Sequence, residues 1–172
     1  DKAFRTIQEA IYAVGKSNLS DEFASHTIAV AQGIYHLPQE NPTITKSIIH
    51  FELPCDLEIL GGFTPGNKCL NDRSHYNTVL KGNRDYRKAI VAKFLPDNKR
   101  HKLSIDGFTI TEFGAETSEG GAVFSTGGNL VMKNINFKEN SAQKGGAAYL
   151  NTTTALFERC SFINNQAKIN GG

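Results

Sequence analysis

The chain has 172 residues, 39% of them apolar and 21% charged, with a formal net charge of +2. That length suffices for one domain with a sizeable core, and the composition excludes a disordered chain, which would combine low hydrophobicity with high net charge. Near-neutral charge argues against a dedicated nucleic-acid binder, and no run approaches the roughly 18 apolar residues that a membrane-spanning helix needs.

Phe4, Ile7, Ile11 and Val14 recur at steps of three and four residues. This spacing predicts one face of an amphipathic helix over residues 3–14, inside a helical cap of residues 1–25. Strand-like runs follow at 27–30, 44–51, 57–60, 78–80 and 89–94. Gly33, Gly61, Gly62, Gly82 and Asn83 punctuate them. Cys55 and Cys69 flank a loop of 13 residues. A disulfide there would contribute about 3 kcal/mol, and two unpaired thiols are the alternative. Cys160 falls on an apolar repeat position and reads as a buried thiol.

The C-terminal half repeats. Gly120 and Gly121, Gly145 and Gly146, then Gly171 and Gly172 form pairs whose second members are 25 and 26 residues apart. Phe137 with Asn140, and Phe162 with Asn165, sit upstream of the last two pairs. An apolar pattern spaced three then two apart occurs as Met132, Ile135 and Phe137, and again as Phe157, Cys160 and Phe162. Ile105, Phe108 and Ile110 form an earlier copy in which Phe113 replaces the asparagine.

One unit of that length cannot bury its own apolar face, but stacked units can. The pattern therefore predicts an all-β fold, a right-handed parallel β-helix of about 25 residues per coil, with an N-terminal capping helix. Each coil would advance about 4.8 Å. Residues 26–101 would form irregular coils and residues 102–172 regular ones, about six in all, in one domain. Phe137 and Phe162 are expected in interior ladders. Asn140 and Asn165 are expected at left-handed turns with stacked amides, and the glycine pairs at turns that a Cβ resists. Leucine-rich repeats have a comparable period but a leucine consensus that is absent here. A β-propeller needs a longer period. Gly171 and Gly172 fall within a repeat, so the chain is expected to be an N-terminal fragment of a longer protein.

The run from Phe4 to Ile11, followed by Ile28 through Tyr35, resembles the opening of pectate-lyase-like β-helix proteins. Ile59 to Phe63, Asn77 to Gly82 and Asp106 to Thr111 look closer to large secreted or surface β-helix proteins of Bacteroidetes-type bacteria, often exported with a C-terminal sorting domain. Over about residues 120–172, the Gly-Gly-Ala and Phe-x-x-Asn motifs are similar to those of the chlamydial polymorphic outer-membrane adhesins. These resemblances imply a bacterial, secreted or outer-membrane surface location and a role in attachment.

Chemistry-bearing residues are sparse. Asp56, Glu58, Asp72, Asp85, Asp106, Lys81, Arg84 and Arg87 are the catalytic candidates, and they read more simply as charges on a solvated face. No histidine pair has metal-ligand spacing, no nucleophile elbow or phosphate loop is present, and no cofactor is expected. Residues 64–101 carry nine Lys or Arg against three Asp. Among these, Lys81, Arg84, Arg87, Lys88 and Lys93 are a candidate patch for an anionic ligand such as an acidic glycan, with Tyr76 and Tyr86 beside them.

The sequence thus favours a surface β-helix acting in attachment or as a stalk, without catalysis in this part of the chain. Its partner would be a glycan or a host or neighbouring surface protein. One alternative is the N-terminal part of a polysaccharide lyase or glycoside hydrolase with active coils beyond residue 172. Another is a structural component of a surface or secretion assembly.

Overall fold

A computed structural model of the chain describes residues 4–17, 25–37, 47–66, 72–84, 88–95, 101–114 and 119–171. The architecture is all-β with parallel sheets and one short N-terminal helix, compatible with a β-helix or solenoid-like fold. The helix, α1 (Ile7–Ser17), starts later than its apolar spacing predicts. Thr6 Oγ1 accepts the Glu9 N–H at 3.1 Å, and the Glu9 carboxylate accepts the Arg5 N–H at 3.0 Å. These two bonds cap the first turn and leave Phe4 outside it, exposed. Ile7 and Ile11 are buried as expected.

The first sheet holds β1 (Ser25–Ala31), β2 (Gly33–His36), β4 (Asp56–Phe63), β5 (Thr78–Lys81), β7 (Lys102–Thr111), β9 (Asn129–Lys138), β12 (Thr154–Glu158) and β13 (Ser161–Ile163). The second holds β3 (Ser47–Phe51), β6 (Lys88–Lys93), β8 (Val123–Thr126) and β11 (Ala148–Asn151). A third pairs β10 (Ser141–Lys144) with β14 (Gln166–Asn170). Every pairing between these strands is parallel.

The registers form ladders. Ile28, Ile59, Ile105, Met132 and Phe157 stack in one. Tyr35, Leu80, Ile110, Phe137 and Phe162 stack in a second. In the second sheet the row runs Ile49, Ile90, Val123 and Ala148. Ile59, Ile105, Met132, Phe108, Ile110 and Phe137 have no exposed surface and lie in one apolar cluster. The step from Ile59 to Ile105 is much longer than a repeat because residues 64–77 are inserted between β4 and β5. Five levels of the first ladder are therefore found among the described residues, where an even division gave six.

The motif residues take other roles than turn angles alone. Gly120 and Gly145 have φ of 70° and 64°, as expected. Gly121 and Gly146 do not, and are needed for closeness instead. A Cβ on Gly121 would collide with the Gly146 carbonyl oxygen, and one on Gly146 with the Gln166 backbone. The asparagines meet expectation in their stacked, bonded amides but not in their backbone angles. The left-handed residues are Glu112, Glu139 and Asn164, each one position before the Asn site. Asn140 instead spends a fully buried side-chain amide on its neighbours. Its Oδ1 accepts the Phe113 N–H at 3.0 Å, and its Nδ2 donates to the Ile110 carbonyl and to Asn165 Oδ1, both at 3.0 Å.

Phe162 corrects the interior reading in part. Its ring stacks on Phe137 with centroids 4.8 Å apart and planes 12° from parallel, yet it is 51% exposed. Cys160 is likewise half-buried rather than sealed. The Phe137→Ala substitution should lower unfolding stability by about 3–5 kcal/mol, the usual range for a buried phenylalanine. Phe162→Ala should cost only about 1–2 kcal/mol, since about half of its transfer energy is at stake. Urea denaturation of the two variants measures the difference directly.

Candidate functional site

Among the described residues, a cluster of linked polar side chains lies where the first sheet bends. Gly107, Asn134 and Arg159, with φ of 86°, 49° and 52°, mark that bend in successive levels. Each follows a ladder of charged residues, Asp106, Lys133 and Glu158, that pair in register. Left-handed backbone at the corner turns these side chains together. Asn134 Nδ2 donates to Asp106 Oδ1 at 2.7 Å, and Arg159 Nε donates to Asn134 Oδ1 at 2.9 Å. Lys133 Nζ lies 3.2 Å from Glu158, and Arg159 also pairs with Glu158. The Lys133 hydrogen bond, aided by the Arg159 charge, holds the Glu158 carboxyl below its ordinary range.

The inserted connection supplies the other half. Arg73 Nη2 donates to Asp106 Oδ2 at 2.9 Å, its Nη1 reaches the Gly61 carbonyl at 3.4 Å, and its guanidinium carbon lies 5.7 Å from the centre of the Phe63 ring. The Arg73 and Asp106 side chains are only 11% and 14% exposed. His75 Nδ1 lies 3.7 Å from Asp106 Oδ1. Tyr76, with a φ of 72°, is held by its N–H to the Gly107 carbonyl and by its own carbonyl, which accepts Thr109 Oγ1.

Asp106 therefore has one oxygen on a guanidinium and the other on an amide. Three cations, Arg73, Lys133 and Arg159, face two carboxylates, Asp106 and Glu158, and His75, Tyr76 and Arg159 are exposed. Cys160 adds no nucleophile. Burial pushes its thiol up from the usual range, with the Asp106 charge acting in the same direction. Among the described residues, no group of three or more His, Cys, Asp or Glu is placed to hold a metal ion.

Of the residues singled out for an anionic patch, the described ones lie on β5, the connection after it and β6. Lys81 lies on β5 and pairs with Glu112 at 3.0 Å. Arg84 is exposed, and its N–H donates to the Glu112 carbonyl. Lys88 and Lys93 lie on β6 in the second sheet. Lys93 is exposed, whereas burial lowers the Lys88 pKa against the opposing pull of Glu119. Arg87, Tyr86 and Cys69 lie outside the described residues, so the Cys55–Cys69 disulfide does too. Cys55 itself is buried.

The second sheet carries a feature that the sequence reading missed. Phe124 and Tyr149 pair in register on β8 and β11, and their rings stack with centroids 6.0 Å apart and planes 10° from parallel. Their strand neighbours Val123 and Ala148 pack into the core, so strand alternation turns this aromatic pair outward. The signal was available. Phe124 and Tyr149 each follow a glycine pair by three residues, and Asn134 and Arg159 keep the same 25-residue offset.

No family model, curated protein or solved structure matches the chain, so the site is read from its own geometry. No helix among the described residues is long and apolar enough to cross a membrane.

Asp106→Ala should strip the countercharge from a largely buried guanidinium and cost about 3 kcal/mol or more. Pairing it with Arg73→Met should recover much of that loss. A double-mutant cycle by chemical denaturation should give a coupling that far exceeds the value for an exposed ion pair.

Proposed function

We propose that the chain is a right-handed parallel β-helix acting in attachment at a bacterial cell surface, without catalysis by the residues described here. The observation that carries this reading is the fate of Asp106. The carboxylate most central to a polar cluster is fully engaged by Arg73 and Asn134, while the groups left outward can recognise but not transform a ligand. His75 and Tyr76, whose rings lie 6.3 Å apart, offer hydrogen bonds and a ring on one side of this corner, and Arg159 offers charge on later levels of the same face. Such a rim suits an acidic glycan, whose carboxylate or sulfate would meet Arg159 and whose sugar faces would lie on Tyr76. The right-handed solenoid is supported by the parallel pairing of every strand and by the offset of about 25 residues that the regular levels keep. A role in attachment also fits an architecture that lengthens by repetition and shows successive levels to one partner.

A glycan array and product analysis test this reading. The chain should retain acidic glycans, with affinity falling as salt rises, and should release no shortened oligosaccharides. Arg159→Ala should weaken retention about tenfold without unfolding the protein, because Arg159 is exposed. Depolymerisation of a retained glycan would overturn the non-catalytic reading. Retention insensitive to Arg159→Ala would move the binding surface away from this corner.

A further inference from the structure

Each regular level of the stack is covered by the next one, and the covering repeats in kind. β9 is paired in register by β12 and β13, β8 by β11, and β10 by β14. Among the described residues, β11, β12, β13 and β14 pair on one side only. Their outer side continues an interface already met within the molecule, because it is the side that each earlier level offers to its successor.

Three features say what that side accepts. First, it is apolar. Phe137 has no exposed surface, whereas Phe162, stacked on it, is half-exposed, and Leu156 and Ile163 on the same level are exposed. Second, the asparagines bond from level to level in one direction. Asn140 Oδ1 accepts the Phe113 N–H at 3.0 Å, and Asn165 Oδ1 accepts the Asn140 N–H at 3.1 Å. Asn140 Nδ2 donates to the Ile110 carbonyl and Asn165 Nδ2 to the Phe137 carbonyl, both at 3.0 Å. Each asparagine thus answers one N–H and one carbonyl of the level before it. The next groups in this series are the Asn165 N–H and the Phe162 carbonyl. Third, the glycine turns keep the same direction. The Gly120 N–H donates to the Lys144 carbonyl at 2.9 Å, and the Gly145 N–H to the Asn170 carbonyl at 2.8 Å.

We propose that the outer side of β12 and β13 binds an extended polypeptide from a separate chain that carries the pattern Phe-x-x-Asn and runs parallel to these strands. Its ring would stack on Phe162. Its asparagine would accept the Asn165 N–H and donate to the Phe162 carbonyl. Strand addition of this kind takes affinity from the backbone and selectivity from alternate side chains. A featureless apolar partner would cover the ring but leave both backbone groups without a bond. Arg73, His75, Tyr76 and Asp106 take no part, so peptide binding and glycan retention can fail separately.

The test uses the full chain and a synthetic peptide with the sequence of residues 129–140, which includes Phe137 and Asn140. Titration should shift the backbone amide resonances of Phe162 and Asn165 saturably and leave those of Ile28 and Ile59, at the far end of the ladder, in place. An Asn140→Leu peptide keeps the side-chain bulk and loses both amide bonds, so it should bind about tenfold more weakly. A Phe137→Ala peptide should weaken by a similar factor. These peptide variants leave the fold of the protein untouched. In the protein, Phe162→Ala should weaken the parent peptide about tenfold as well. Equal affinity of the Asn140→Leu peptide, resonance shifts away from β12 and β13, or no saturable binding would each overturn the proposal. So would dimerisation of the chain alone at the titration concentrations in sedimentation equilibrium, which would give this edge to a second copy.

Discussion

A segment of about 25 residues has two faces of strand and no interior. Everything in this protein follows from the need to lend each segment the apolar surface of the next one. In-register parallel pairing meets that need, because it puts identical strand positions of successive segments on top of one another. A slip of one residue would exchange every core side chain for a solvated one. The ladder from Ile28 through Ile59, Ile105 and Met132 to Phe157 expresses that constraint along the whole chain. The glycine pairs serve the same end, since Gly121 and Gly146 permit a backbone approach that no side chain would allow.

Legibility in the sequence tracked this constraint. Where the period is regular, the apolar triplets at Ile105, Met132 and Phe157 identified the stacked positions, because each level meets the same neighbours. Upstream, the insertion at 64–77 breaks the period that an even division of the chain assumes. The helix start was misplaced because Phe4 continues an apolar spacing that the Thr6 cap interrupts. The asparagine reading held for the bonded amides and missed the angles by one residue, for an instructive reason. Asn is a common left-handed residue, but here Glu139 takes the left-handed angle, and Asn140 is used inside, where its amide serves an N–H, a carbonyl and the next asparagine at once.

The candidate site was less legible than the fold. Arg73 and Asp106 lie 33 positions apart and meet only because the inserted connection returns to the bend of the sheet. No local pattern announces such a contact. Phe124 and Tyr149 were legible in principle from their shared offset but lacked chemistry that would draw attention. Net charge was a poor guide as well. Residues 64–101 are strongly basic in sequence, yet Lys81 and Arg73 are committed to carboxylates from the following level. A balance counted along the chain says little about a balance struck between levels.

At the opposite edge, one side chain stands in for a whole strand. Gln8 Oε1 accepts the His50 N–H at 2.7 Å, and Gln8 Nε2 donates to the His50 carbonyl at 3.2 Å, so the outer edge of β3 is paired at that residue by a side chain, with no further strand beyond it among the described residues. A strand placed there would itself present a new edge, whereas an amide at the end of a helical side chain presents none. Parallel ladders with open edges are templates, and growth by addition is the hazard they carry. The Gln8 contact acts as a chain terminator for that process at β3. It gives the stack a polarity, with recruitment of further strands blocked at this position by two hydrogen bonds.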